Sequence, residues 1–216
     1  MKNYILLSGG PDSAVLATEL ARRMNLTCLF INFGQPYLVN EIIASRKISE
    51  SIGCNLEEIV VPSIGYYFIG KGEFEHIILR EIIECTYGLA AAYVRYNGGD
   101  SLYHASIAED AHDIPGLPMF LTSMQNSINY LPGGESFKIL TPYIKTNKSD
   151  VFRIGAKLNV KFEDTWSCLM PGLIHCGSCR ACNRRRLAFE HAGIHDPTEY
   201  SYRYEPNKQE QDRLNN

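Results

Sequence analysis

Residues 4–20 read YILLSGGPDSAVLATEL: a short apolar run, a polar loop and an amphipathic segment. Tyr4–Leu7 has the length and character of a strand, while Leu16 and Leu20 stand one helical turn apart. Ser8, Gly9, Gly10, Pro11, Asp12 and Ser13 therefore form a loop between a strand and a helix. Such a junction lines up backbone N–H groups at a helix N-terminus, where they and the helix dipole favour an anion. Glycines let the backbone approach that anion closely. Ser8 and Ser13 can add hydroxyl hydrogen bonds, and Asp12 can hold Mg²⁺ beside phosphate oxygens. The loop lacks the lysine of GxxxxGK(S/T), so it is not the ordinary P-loop.

The pattern continues for about a hundred residues. Thr27–Asn32, Glu57–Val61 and Ser101–Ser106 read as further strands. Glu41–Ile52 reads as a helix stopped at Gly53, and 73–96 as a long buried one. Strands alternating with helices predict an α/β fold with a parallel sheet, which binds ligands beyond the carboxyl ends of its strands. Residues 109–118, EDAHDIPGLP, read as a polar loop placed to touch substrate, and 131–135 as a turn. Asn147 is placed to cap a helix reaching about Leu158, and Arg180–Ala192 forms another. A net charge of −3 gives no general pull toward nucleic acid. With no secretory segment, membrane span or lipidation box, a cytoplasmic protein is expected.

Of seven cysteines, Cys28, Cys54 and Cys85 are isolated and read as small buried hydrophobes. Cys168, Cys176, Cys179 and Cys182 follow a C-x7-C-x2-C-x2-C spacing. Four thiolates with no open position make a closed structural zinc site; an iron–sulfur cluster is the alternative. The chain is expected to divide into an α/β domain over 1–160 and a metal-binding lobe over 161–216. Arg184, Arg185 and Arg186 follow the last cysteine and cannot share one helix face. Arg184 is the one expected at the site. Tyr200–Tyr204, YSYRY, alternates like an edge strand or packs as an amphipathic end, and the tail from Glu205 is expected to fray. His104 and His112 lie near the expected substrate loop as polar lining or a base.

SGGPDS resembles the pyrophosphate loop of the N-type ATP pyrophosphatases, with a Rossmann-like fold of the adenine nucleotide alpha hydrolase type. With TWSC, CGSCRAC and the following arginines, and with TPYIKTNKSDVFRIGAKL carrying Pro142 and Lys148, the chain resembles the QueC, or 7-cyano-7-deazaguanine synthase, family. The resemblance runs from about Tyr4 to Phe189. It implies ATP-dependent adenylation of the carboxylate of 7-carboxy-7-deazaguanine, then replacement of AMP by ammonia, giving the amide and finally the nitrile. Zn²⁺ is implied as structural, Mg²⁺ and ATP as the activating pair, and a homodimer as the assembly. ATP contacts fall on Leu7, Ser8, Gly9, Gly10, Asp12, Ser13, Phe30, Asn32, Gly34 and Gln35. Lys148 and Arg80 would neutralise phosphate or acyl-adenylate charge beside Asp12. Glu109, Asp110 and Asp113 are the substrate-binding candidates.

The middle of the chain departs from the family. NFGQPY stands where Asp-Tyr-Gly-Gln-Arg-His is usual, and Gly-Leu-Pro replaces Asp-Cys-Arg after Pro115. These changes spare ATP handling and fall on the acyl-substrate pocket. An alternative is therefore a QueC-like paralogue that joins the activated deazaguanine to another amine, such as a protein N-terminus in antiviral defence. A weaker alternative is a tRNA-modifying thiolase of the same superfamily, which needs a catalytic cysteine near the nucleotide and a basic RNA surface, whereas the four clustered cysteines look committed to metal and the net charge is −3. A non-catalytic zinc module fits poorly with an intact SGGPDS loop.

Overall fold

The computed structural model describes residues 1–62 and 77–202, with the side chains of 77–81 outside the described set. Five strands form one parallel sheet: β1 (Asn3–Leu6), β2 (Leu26–Asn32), β3 (Asn55–Val60), β4 (Ser101–Tyr103) and β5 (Lys138–Leu140). Their order across the sheet is β3-β2-β1-β4-β5. The chain thus winds outward from β1 in one direction and then in the other. The point where it reverses lies between β1 and β4, and a crevice opens there above the strands' carboxyl ends.

The helices are α1 (Pro11–Ala21), α2 (Leu38–Ser51), α3 (Ile77–Tyr96), α4 (Ala108–Asp113), α5 (Leu117–Asn129), α6 (Lys148–Lys157) and α7 (Arg180–Ala192). Each face of the sheet has its own core, as the strand pleat requires. Ile5 and Leu7 pack with Val15, Leu16, Val151 and Phe152 on one face. Tyr4 and Leu6 pack with Leu29, Ile31, Ala90 and Val94 on the other. Gly155 lets α6 approach α1, because a Cβ there would lie 2.6 Å from both Val15 and the Phe162 ring. Phe162, Ala188 and Phe189 join the first core, so the C-terminal segment packs directly on the α/β body. Among the described residues no helix is long and apolar enough to cross a membrane.

The expected loop over 109–118 is mostly helical. The Asp110 carboxylate accepts the Ile107 N–H at 3.1 Å, closing the first turn of α4. Pro118 sits at the start of α5, where its missing N–H costs nothing. Neither α5 nor the short edge strand β5 stands out in the sequence. Asn147 precedes α6 as expected, but its side chain makes no capping bond. Glu109 supplies that cap instead, accepting the Lys148 N–H at 2.9 and 3.1 Å. Residues 73–76, Arg203, Tyr204 and the tail from Glu205 lie outside the described residues.

Candidate active site

A cavity of about 560 Å³ fills the crevice at the reversal point. Its walls come from the loop after β1, the end of β2, the segment after β4, and the first residues of α6 and α7. Leu7, Ser8, Gly10, Asp12, Ser13, Phe30, Gln35, Asp110, Asp113 and Lys148 all line it. Asp12 and Lys148, 136 positions apart in the chain, thus meet on one space.

The SGGPDS loop is held from several sides. Gly9 takes φ +77°, a left-handed conformation, and a Cβ there would meet the Glu41 carbonyl oxygen at 2.6 Å. Its own carbonyl accepts the Trp166 N–H at 2.8 Å, tying the loop to the TWSC segment. The Ser13 hydroxyl donates to the Gly10 carbonyl at 3.0 Å and lies 3.2 Å from the Ser8 hydroxyl. Pro11 opens α1, so the loop runs into a helix start whose first residues line the cavity.

Asp12 pairs with Lys148 through Oδ2. Its Oδ1 is buried with no hydrogen-bond partner among the described residues. An orphaned buried carboxylate oxygen wants a cation or a donor. Asp110 stands near enough to Asp12 for their charges to interact, and burial together with that charge raises its carboxyl above the usual range. The neighbouring residues of α4 thus part company: Asp110 faces the cavity while Glu109 faces α6.

Asp113 forms ion pairs with Arg180 and Arg184, both cavity-lining, which latch α4 to α7. The three consecutive arginines point three ways. Arg184 reaches the cavity. Arg185 is fully buried and donates to Phe162 O, Thr165 Oγ1 and Thr198 Oγ1 at 2.6–2.7 Å. Arg186 bonds the Gly177 and Tyr202 carbonyls and lies over the Tyr200 ring at 3.9 Å. Arg80 belongs to α3, but its side chain is outside the described residues. Asn32 and Gly34 shape the loop after β2, with Asn32 Oδ1 accepting the Gly34 N–H at 3.0 Å.

Several lining groups carry no sequence signal of their own. Tyr87, Ser106 and Arg180 are among them, and so is Glu41. Glu41 Oε2 accepts the Gln35 amide at 2.7 Å. Burial pushes the Glu41 carboxyl up to about 8, against the lowering effect of that bond. The folded chain keeps this proton where the unfolded chain, near 4.5, has lost it. Stability from this group is therefore full below about pH 4.5 and is lost as pH rises through about 8. Glu41→Gln is expected to flatten that loss. Urea midpoints of variant and wild type should separate in the variant's favour above pH 8. Parallel pH profiles would show that Glu41 ionises freely.

The four sulfurs of Cys168, Cys176, Cys179 and Cys182 lie within 4.8 Å of one another. Backbone N–H groups of Met170 and Cys176 donate to Cys168 Sγ at 3.3 Å, and that of Cys179 to Cys176 Sγ at 3.4 Å. Bonds of that kind favour thiolates, and the cluster fits a tetrahedral metal ion. His175 stands beside the cluster, its Nε2 accepting the Ser167 N–H at 3.0 Å. Cys28 is buried in the core, where burial pushes its thiol up to about 12 and leaves it inert.

A family model described as "Queuosine biosynthesis protein QueC" matches residues 77–193. A 7-cyano-7-deazaguanine synthase of Methanothrix thermoacetophila is 33% identical, over 91% of this chain and 97% of its own. That of Brucella anthropi is 30% identical, over 93% and 94%.

The chain belongs to the QueC family.

Solved structures extend the likeness at the level of fold. NMN synthetase from Francisella tularensis superposes with a TM-score of 0.56 at 16% identity, over 99% of this chain and 82% of that one. The U34-tRNA thiolase NcsA from Methanococcus maripaludis, solved with its 4Fe–4S cluster, gives 0.55 at 19%, over 87% and 63%. QueC-family membership therefore comes with the Rossmann-like sheet that these enzymes share, and with a four-cysteine cluster able to hold a metal.

Proposed function

We propose that this QueC-family chain is a 7-cyano-7-deazaguanine synthase working as an ATP-dependent ligase. ATP and the carboxylate of 7-carboxy-7-deazaguanine meet in the cavity. The carboxylate oxygen attacks the α-phosphorus, forming an acyl adenylate and releasing pyrophosphate. Ammonia then adds to the acyl carbon and AMP leaves, giving the amide. A second ATP-driven activation at the amide oxygen removes that oxygen with AMP and yields the nitrile.

The observation that carries this reading is the meeting of the SGGPDS loop, the Asp12–Lys148 pair and Asp110 in one cavity. The N–H groups of Gly9 and Gly10 with the Ser8 and Ser13 hydroxyls receive the departing pyrophosphate. Lys148 offsets charge on the phosphates. Asp12 Oδ1, without a protein partner among the described residues, suits Mg²⁺, which would draw charge from the phosphate oxygens. Phe30 and Gln35 flank the adenosine, while Asp110 faces the heterocycle. No side chain needs to act as nucleophile, so rate comes from positioning and electrostatics. The four cysteines hold zinc as a structural ion away from ATP.

The test is incubation with ATP, Mg²⁺ and 7-carboxy-7-deazaguanine, with and without ammonia, followed by mass spectrometry. AMP with the nitrile is the expected result. AMP with a product that stops at the adenylate or amide points to another amine acceptor, the paralogue reading. No acid-dependent AMP at all refutes the deazaguanine substrate.

A further inference from the structure

His104 follows β4, and its N–H donates to the Leu140 carbonyl at 2.9 Å, so the backbone there continues the β4–β5 ladder. Its ring packs edge-on to Tyr87 with centroids 4.9 Å apart. Nδ1 lies 2.6 Å from the Tyr87 hydroxyl and 2.7 Å from that of Ser106, and the two oxygens are 3.2 Å apart. Tyr87 and Ser106 are each 2% exposed, so this clamp is rigid and dry. Burial lowers the His104 ring to about 4 and keeps it neutral.

With Nδ1 protonated, the clamp holds one N–H and two O–H groups, and one hydroxyl proton finds no acceptor within it. With Nδ1 unprotonated, the Tyr87 hydroxyl donates to Nδ1 and the Ser106 hydroxyl donates to the Tyr87 oxygen, so every proton is placed. The clamp therefore selects the Nε2–H tautomer and leaves Nε2 as a donor. Nε2 has no hydrogen-bond partner among the described residues, while the ring lines the cavity beside Leu117 and Ile82. This half of the cavity thus joins apolar walls, suited to a flat ring, with a donor at His104 and a carboxylate acceptor at Asp110. A 7-deazaguanine presents a carbonyl oxygen beside ring and exocyclic N–H donors, an edge that matches one donor and one acceptor.

We propose that His104, clamped by Tyr87 and Ser106, reads the substrate by donating its Nε2–H to the ring carbonyl oxygen of the heterocycle. The inference rests on the heterocyclic acid proposed above as substrate. It makes His104 a specificity residue that stands in where the usual substrate-loop residues are missing.

Two variants separate reading from structure. In His104→Asn the amide reaches only as far as Nδ1, so the clamp is kept and the reading atom is lost. In His104→Gln the amide reaches the place of Nε2. The Asn variant is expected to raise KM for 7-carboxy-7-deazaguanine roughly tenfold to a hundredfold, with KM for ATP little changed. The Gln variant should recover most of that loss. An unchanged KM for the acid in the Asn variant overturns the proposal, as does an equal rise for ATP or a Gln variant no better than Asn. Wild type without acid-dependent AMP formation instead removes the substrate assignment, and this inference with it. Should the Asn variant fail to fold, nitrogen-15 spectra of the wild-type chain decide. Nε2 must be protonated in the free protein and must shift when the acid is added; an unprotonated or unmoved Nε2 overturns the proposal.

Discussion

An Asp12→Asn chain is expected to fold as the wild type does and to release pyrophosphate from ATP about 10²–10³-fold more slowly. The carboxylate has two separate duties. Oδ2 holds the Lys148 ammonium at the mouth of the SGGPDS loop, and Oδ1 is buried without a partner among the described residues. An amide keeps the shape but gives up the charge. Lys148 then lacks its counter-ion, and a cation at Oδ1 loses its anionic ligand. The loop itself should persist, because its conformation depends on Gly9, the Ser8–Ser13 contact and the Trp166 N–H. Circular dichroism and pyrophosphate release measured on one preparation test this. Release within threefold of wild type would mean that the orphaned oxygen serves no cation during the reaction.

Removing metal from the cysteine cluster is expected to cost the C-terminal segment its structure and the whole chain its activity. Cys168, Cys179 and Cys182 are nearly or fully buried, and among the described residues the partly buried hydrophobics packed against them are Trp166, Leu169, Cys176, Ala181 and Tyr200. That small cluster supplies little hydrophobic stabilisation by itself, whereas a structural zinc site in isolated finger peptides is worth about 10–16 kcal/mol. Cys182→Ser, or a strong chelator, should lower the melting temperature by more than about 10 °C, since several kcal/mol are at stake in a chain of this size. Activity falls too, because Trp166 beside the cluster donates to the Gly9 carbonyl and Arg184 on α7 lines the cavity. Metal analysis of the same samples identifies the ion, zinc being expected over iron. A Cys182→Ser chain that melts with the wild type and binds no metal sinks the structural role.

Much of this was legible in the chain itself because it depends on local chemistry. The strand–loop–helix at SGGPDS follows from the apolar run, the paired glycines and Pro11 at the helix start. The cysteine cluster follows from two overlapping C-x2-C steps, which bring sulfurs together over one turn of backbone. The first four strands could be read from their β-branched and aromatic content, although β4 ends at Tyr103 rather than Ser106. The short edge strand β5 could not, since three residues with a single exposed lysine carry too little pattern. The helices over 108–129 were hidden by proline and glycine. Those residues begin α5 and separate it from α4 instead of forming a loop.

The sequence determined which groups are available: an anion-binding loop, an aspartate within it, a lysine, four thiols and a set of acids after β4. Tertiary structure decided which of them meet. Glu109 and Asp110 are adjacent, yet one caps α6 and the other faces the cavity, since a step of one residue turns a helix by about 100°. The same rotation sends Arg184 to the cavity, Arg185 into the core and Arg186 onto the cysteine lobe. Glu41 and His104 owe their protonation to burial, which no local pattern records. Their chemistry arises only when α2, α3 and β4 come together around one cavity and bury these two groups.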